Sequence, residues 1–216
     1  MTGRTTRMDR GSATRDVILD TAERLFAERG IHLVSNRQIS DASGQGNSAA
    51  VGYHFGTKAD LVRAIARRHS DDLERIRVHM VAEAAGSTDI RDWVACLVRP
   101  FTEHLAALEA PTWYARFCVQ VNDDPQLREI MIEEALVSSS LPMLLVGLQQ
   151  CISELPAGVR EQRLAMARHV TSQMCADRER AIAADVRTLQ DSWEELANSL
   201  VDAITGIWLA PVTRYP

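Results

Sequence analysis

The stretch SNRQISDASGQGNSAAVGYHFGTK, residues 35–58, constrains this chain more than any other. It holds two short helical patterns separated by a glycine-rich turn. Ser35 is a good N-cap, and Gln38 stands three residues later, where a capping box places a side chain that reaches back to the cap. Ile39 and Ala42 follow at helical spacing. Gly44 and Gly46 stop that helix and let the chain reverse. Asn47 or Ser48 can cap a second helix running through Ala49, Ala50 and Val51 to Tyr53, His54 and Phe55. Helix, tight turn and helix form the helix-turn-helix pattern, whose second helix lies in the major groove of DNA.

The flanking segments supply its support. A first helix is predicted from about residues 12–14 to Arg29, with Ile18, Ala22, Leu25 and Phe26 on one face. Gly30 is its C-terminal cap and Ile31 packs back. The start of that helix can present backbone N–H groups to a phosphate. Residues 1–11 read as a flexible basic arm carrying Arg4, Arg7 and Arg10, either touching DNA or simply solvated. On the far side Thr57 caps a long helix with Asp60 three residues on. Leu61, Ala64 and Ile65 face inward there, and Arg63, Arg67 and Arg68 outward. This helix is expected to reach about residue 85, end at Gly86, and connect the head to the rest of the chain.

Tyr53-His54-Phe55 followed by Lys58, with Leu61 three residues further and the Gly30-terminated amphipathic helix upstream, resembles the tetracycline-repressor (TetR) family of bacterial transcription regulators. The resemblance covers roughly residues 12–65; beyond them only length and helical pattern match. The turn is about one residue longer than the family's commonest form, and Gly52 stands where the family often has tyrosine. The resemblance implies a three-helix DNA-binding domain followed by a larger helical domain for ligand binding and dimerisation. It implies phosphate contacts from Tyr53, His54 and Lys58, a four-helix homodimer interface built from the last two helices of each subunit, and a pocket for a small-molecule effector.

The net charge of −5 first argues against a nucleic-acid partner, but its distribution reverses that. Residues 1–70 hold 11 Lys and Arg against 7 Asp and Glu, and residues 71–216 hold 13 against 22. A basic front and an acidic body fit DNA binding at one end only.

The body reads as helical throughout. Asp89 caps a helix from Ile90 to about Leu108, inside which Pro100 is expected to kink or split it. Pro111 opens the next helix, predicted over 112–121, and Asp124-Pro125 starts one reaching about Val137. The serines 138–140 can cap a helix over 141–155, and residues 156–158 are a break. Two long patterns then run over about 159–182 and 188–209, with Leu164, Ala167, Val170 and Met174 on one and Trp193, Leu196, Leu200, Ile204 and Trp208 on the other. No sustained alternation marks a strand, so the expected class is all-α. The division is an arm (1–11), a helix-turn-helix domain (12–57, motif about 35–54), a ligand-binding and dimerisation domain (58–209) and a tail (210–216). No apolar run is long enough for a membrane span, and the first residues carry no apolar core of a signal sequence. Cys96, Cys118, Cys151 and Cys175 are widely spaced, which fits buried thiols and a reducing cytoplasm.

Within the head, Ser35, Arg37, Asn47, Ser48, Ala49, Val51, Gly52, Tyr53, His54 and Lys58 are the candidate DNA contacts. Asparagine can pair bidentately with adenine, arginine can reach guanine, and a small methyl can meet that of thymine. Gly52 costs about 1 kcal/mol of helix stability relative to alanine, which points to close backbone approach. Phe55 reads as core. Lys58 is the only lysine beside 23 arginines. In the body Trp93, Phe101, His104, Trp113, Phe117, Met131, Met143 and Met174 are the candidate ligand contacts, with Tyr114, Cys118, Gln120, Asn122 and Gln173 as further possibilities; a stripe of this kind is equally a core. Catalytic motifs are absent. His69 with Asp72, and His79 beyond, reads as a surface pair rather than a metal site. No cofactor or metal is expected. The expected function is a DNA-binding transcription regulator, most simply a repressor released by a small apolar or amphipathic ligand. The alternatives are a sensor or carrier without DNA binding and an activator without ligand control.

Overall fold

A computed structural model of the chain describes residues 5–47, 49–188 and 191–213, of which residues 5–11 by backbone alone. Ten α-helices make up the described structure, with no strand among the described residues. They are α1 (Thr5–Arg29), α2 (Asn36–Ala42), α3 (Ala50–Phe55), α4 (Lys58–Glu83), α5 (Ile90–Ala107), α6 (Tyr114–Asp123), α7 (Pro125–Leu136), α8 (Ser140–Cys151), α9 (Ala157–Ala183) and α10 (Trp193–Leu209). The chain is all-α, as its sequence pattern requires, and among the described residues no single helix is long and apolar enough to cross a membrane.

Local chemistry sets most boundaries. Ser35 with Gln38, Thr57 with Asp60, and Ser192 with Glu195 each close a reciprocal capping box. Asp89 and Asp124 accept N–H bonds at the starts of α5 and α7, and Pro125 occupies the first turn. Gly30 and Gly86 follow α1 and α4 at φ of 90° and 83°, where other residues are strained.

Several boundaries differ from expectation. α1 begins at Thr5, so the backbone of residues 5–11 is helical rather than a flexible arm; residues 1–4 lie outside the described residues. α10 begins at Trp193 because Ser192 supplies a full cap, later than residue 188. α5 runs through Pro100 as one helix. Both of its halves are pinned by buried side chains, Trp93, Val94 and Val98 before the proline and Thr102 and Leu105 after it, so packing holds what the missing N–H weakens.

Two helices are capped from elsewhere in the fold. The N-cap residue Ser139 of α8 makes no side-chain cap bond, and Ser138 Oγ accepts only from the Leu141 N–H, at 3.4 Å; Glu74 of α4 accepts from the N–H groups of Ser139 and Ser140, at 3.1 and 3.0 Å, and from both hydroxyls. α6 likewise has no local cap. The buried Glu179 of α9 accepts from the N–H groups of Ala115 and Arg116, and from the Arg116 guanidinium at 3.0 Å. Each carboxylate meets the positive end of a helix dipole, where a negative charge is stabilising.

The head has its own core of Ile18, Ala22, Leu25, Phe26, Ile39, Val51, Leu61 and Ile65, all within 2 % of full burial. α1 packs on α6, with Phe26 stacked on Phe117 at 6.4 Å, and α6 packs in turn on α9. α4 lies along α5 and α7, and α10 lies on α5. Trp208 is buried within the one chain, and Arg163 binds its carbonyl at 2.6 Å.

Candidate DNA interface and ligand cavity

The turn between α2 and α3 is held by short polar links. Ser35 is committed to its capping box, and Arg37 stands out in solvent 3.8 Å from Asp41. Asn47 Oδ1 accepts the Ala49 N–H at 2.9 Å, and Ala49 itself is the α3 N-cap. Asn47 therefore organises the turn just before the helix rather than capping it directly. Ser48 lies outside the described residues.

α3 is two-sided. Ala50, Val51 and Phe55 are buried, while Ala49, Gly52 and Tyr53 face solvent. Val51 is fully buried, so it is a core residue and not a DNA contact; its neighbour Gly52 takes the outward position. No atom lies within 4 Å of where a Gly52 side chain would begin, so no neighbouring helix requires the glycine. Tyr53 is 86 % exposed, far more than an aromatic ring ordinarily is in a folded head, and stands edge-on to His54 at 5.1 Å. Lys58 turns inward and donates to the Ile31 carbonyl at 2.8 Å. Burial lowers its pKa from the ordinary lysine value.

Arg15 is a residue that sequence reasoning missed. It donates to the His54 carbonyl at 2.9 Å, closing the C-terminus of α3, and its guanidinium lies 4.2 Å over the Phe55 ring. The available signal was its place three and four residues before the buried Ile18 and Leu19, on the apolar stripe of α1.

In the body a cavity of about 370 Å³ opens between α4, α5, α6, α7, α8 and α9. Among the expected contacts, Phe101 and Met131 line it, as do Tyr114, Cys118 and Asn122. The others do not. Trp93 is buried against α8, where any side chain at Gly147 would meet its ring, and its Nε1 donates to the Ser87 carbonyl. Phe117 is fully buried between Phe26 and Tyr114. His104 is spent in a buried polar chain. Trp113 stacks with Arg116 beside a separate polar cleft. Met143 and Met174 are on the surface, 57 % and 36 % exposed. Gln120 approaches Gly30, and Gln173 donates to Asp177. What sequence reasoning missed is the share of α7, α8 and α9 in the wall, including Leu136, Leu141, Leu145, Leu164, Arg128 and Arg168. The almost wholly apolar α8 was the available sign.

Residues 18–65 match the family described as bacterial regulatory proteins, tetR family. The N-terminal domain belongs to the tetR family. Over 62 residues the chain is 42 % identical to the HTH-type transcriptional repressor KstR2 of Rhodococcus jostii (strain RHA1), an alignment spanning 29 % of this chain and 30 % of that repressor. Over 93 % of its length the chain superposes on 98 % of the TetR family transcriptional regulator PfmR from Thermus thermophilus, with a TM-score of 0.50 and 21 % identity. That likeness extends the common fold through the body.

The tetR-type head is joined to the body by a buried polar chain. His69 of α4 donates from Nε2 to Glu23 of α1 at 2.9 Å, and its Nδ1 lies 2.8 Å from Nε2 of His104 on α5. With the Glu23 carboxylate at one end, a neutral His69 ring carries its proton on Nε2, and its Nδ1 accepts from His104 Nε2. His69 is therefore not the surface partner of Asp72 that its spacing suggested: it is 3 % exposed, and among the described residues no group of three or more His, Cys, Asp or Glu could hold a metal ion.

Proposed function

We propose that the protein is a homodimeric transcription regulator that represses by binding operator DNA and lets go when a small molecule enters the cavity between α4 and α9. The observation that carries this reading is the solvent-facing side of α3 on a tetR-type head: Ala49, Gly52 and the 86 % exposed Tyr53, backed by a basic front. Small residues let the helix backbone sit deep in the groove, and Asn47, Arg37 and Tyr53 border it. His54 stands near the end of α3 and Lys58 at the start of α4, and phosphate is the partner we assign them. Met166 and Met174 on α9 and Leu209 on α10 are exposed on the two helices we assign to the dimer interface, which would set two heads about 34 Å apart on successive major grooves.

The ligand acts by preferring a head spacing that does not fit DNA; equal affinity for both spacings would shift nothing. One transmitting element is α7. Met131 and Ile132 touch the cavity, while Glu134 accepts from Arg67 at 2.6 Å and from Arg63 at 2.7 Å, on the part of α4 nearest the head.

Footprinting on the DNA upstream of the protein's own gene tests the reading. A protected pseudo-palindrome, lost in Tyr53→Ala and weakened by salt, is the expected result. Saturable binding without sequence preference, unchanged in Tyr53→Ala, would sink it and favour a sensor without specific DNA recognition.

A further inference from the structure

The cavity wall is mostly apolar but carries one polar patch. Asn122 from the end of α6, Arg128 from the first turns of α7, and Arg168, Thr171 and Ser172 from the middle of α9 gather there. Asn122 donates to Ser172 Oγ at 2.9 Å, and Arg128 donates to the Asn122 carbonyl at 2.9 Å, which fixes these three together. Arg168 is different. Its Nε is buried with no hydrogen-bond partner. Neither Arg128 nor Arg168 takes part in an ion pair among the described residues, although α4 and α7 are laced with them nearby. Burial, and then the neighbouring charge of Arg128, lowers the Arg168 pKa from its ordinary value.

Two guanidinium groups on one wall without a carboxylate are costly when the site is empty, because buried charge needs a partner. A ligand that brings the missing negative charge recovers that cost. Guanidinium groups bind carboxylates with two parallel hydrogen bonds, which makes the contact directional as well as strong. Elsewhere in the lining Leu136, Leu141, Leu145 and Phe101 offer only hydrocarbon.

We propose that the effector is an organic acid with an apolar body: its carboxylate lies on Arg168 and Arg128, and its hydrocarbon fills the leucine-lined space. This rests on the cavity being the effector site. The volume of about 370 Å³ falls at the small end of small-molecule pockets (roughly 300–1,000 Å³), which favours a medium-length chain or a compact ring system over a large cofactor.

Calorimetric titration of the full-length protein with decanoate and with 1-decanol separates the head-group claim from the cavity claim. Decanoate is expected to bind at least tenfold tighter than decanol. Arg168→Met is expected to bring decanoate down to the decanol level, without lowering the melting temperature of the unliganded protein. Ala135→Phe, or Leu145→Trp as a second filling of the same space, is expected to abolish both. Equal affinities in the unaltered protein, or a preference that survives Arg168→Met, would overturn the acid assignment and leave the cavity reading intact. Binding of neither probe, or binding of both that survives the filling variants, would overturn the two together.

Discussion

The Tyr114 ring lies flat on the His69 imidazole, centroids 3.6 Å apart and planes 18° from parallel. One side of Tyr114 is cavity wall, and His69 is bonded to Glu23 on α1. Two side chains therefore span the distance from ligand to head. A displacement of Tyr114 by a bound molecule must either move His69 or break the stack, and His69 cannot move without disturbing its bonds to both Glu23 and His104. Tyr114→Leu keeps an apolar wall but removes the stacking surface. The expected outcome is a ligand that still binds but releases DNA less, with the coupling reduced by roughly 1 kcal/mol of the 1–3 kcal/mol typical of allosteric proteins. Operator titrations with and without ligand measure it; an unchanged ratio of affinities would remove Tyr114 from the path.

The same chain makes stability depend on pH. His104 is held neutral, its pKa lowered to about 4, chiefly because burial disfavours the charged ring and then because His69 lies beside it; Asp72 and Glu23 oppose the shift and Arg75 assists it. In the unfolded chain a histidine titrates near 6.5, so between about 6.5 and 4 the unfolded state binds the extra proton. Stability contributed by the neutral ring is therefore complete above pH 6.5 and is lost as pH falls towards 4. Denaturant titrations across that range should lose roughly 1–2 kcal/mol after allowance for solvent screening, and His104→Gln should flatten the slope.

The two borrowed caps predict losses out of proportion to sequence position. Glu179→Gln keeps the shape but removes the charge that faces two backbone N–H groups and Arg116, and should cost about 1–3 kcal/mol. Glu74→Gln should loosen the start of α8. Burial alone would raise the Glu74 carboxyl, but the bonds from Ser140 and Ser139 outweigh it and hold its pKa below the ordinary value. Its contribution is thus present above the usual carboxylate range and lost as pH falls through the lowered value. Hydrogen exchange at the first amides of α8 is the measurement, with faster exchange in Glu74→Gln expected.

These caps mark where the sequence stops being legible. Ser35, Thr57, Asp89 and Asp124 announce their helices because the partner lies two or three residues away, and the head follows from them. Glu179 caps a helix 63 residues distant, and nothing local distinguishes it from a solvated glutamate. The inward turn of Val51 is hidden because a helix of 6 residues carries too few positions to fix its phase. The aromatic candidates fail for a related reason: Trp93 and Phe117 have the composition of a pocket, but only packing tells a ring that faces a space from one that fills it. Arg128 and Arg168 look like any surface arginine in the sequence, yet here they edge the cavity.

Lys58 is placed to do two things, and they can be separated. Its ammonium donates to Ile31 at 2.8 Å, tying α4 to the loop after α1. If it also reaches a DNA phosphate, Lys58→Met should flatten the salt dependence of operator binding by about one unit of log–log slope for each phosphate no longer neutralised. A variant that binds more weakly at every salt concentration with the slope intact would limit Lys58 to the intramolecular tie.

The ion pairs of Glu134 offer a second route from cavity to head, and it competes with the Tyr114 route in a testable way. Arg63 and Arg67 lie in the second and third turns of α4, and both converge on Glu134, whose side chain is only 9 % exposed. The bonds from Arg67 and Arg63 hold the Glu134 carboxyl well on its charged side. Met131 and Ile132 stand on the cavity side of the same helix, so a ligand that pushes α7 outward pulls on α4 through the carboxylate. Glu134→Ala cuts that linkage without touching the wall. Ligand affinity measured without DNA should stay within about twofold, while the ligand's effect on operator affinity should fall severalfold. If Tyr114→Leu and Glu134→Ala each remove part of the response and the double variant removes their sum, the two routes act independently. If the double variant loses no more than either single one, α6 and α7 move as one body, and the signal reaches the head through a single displacement.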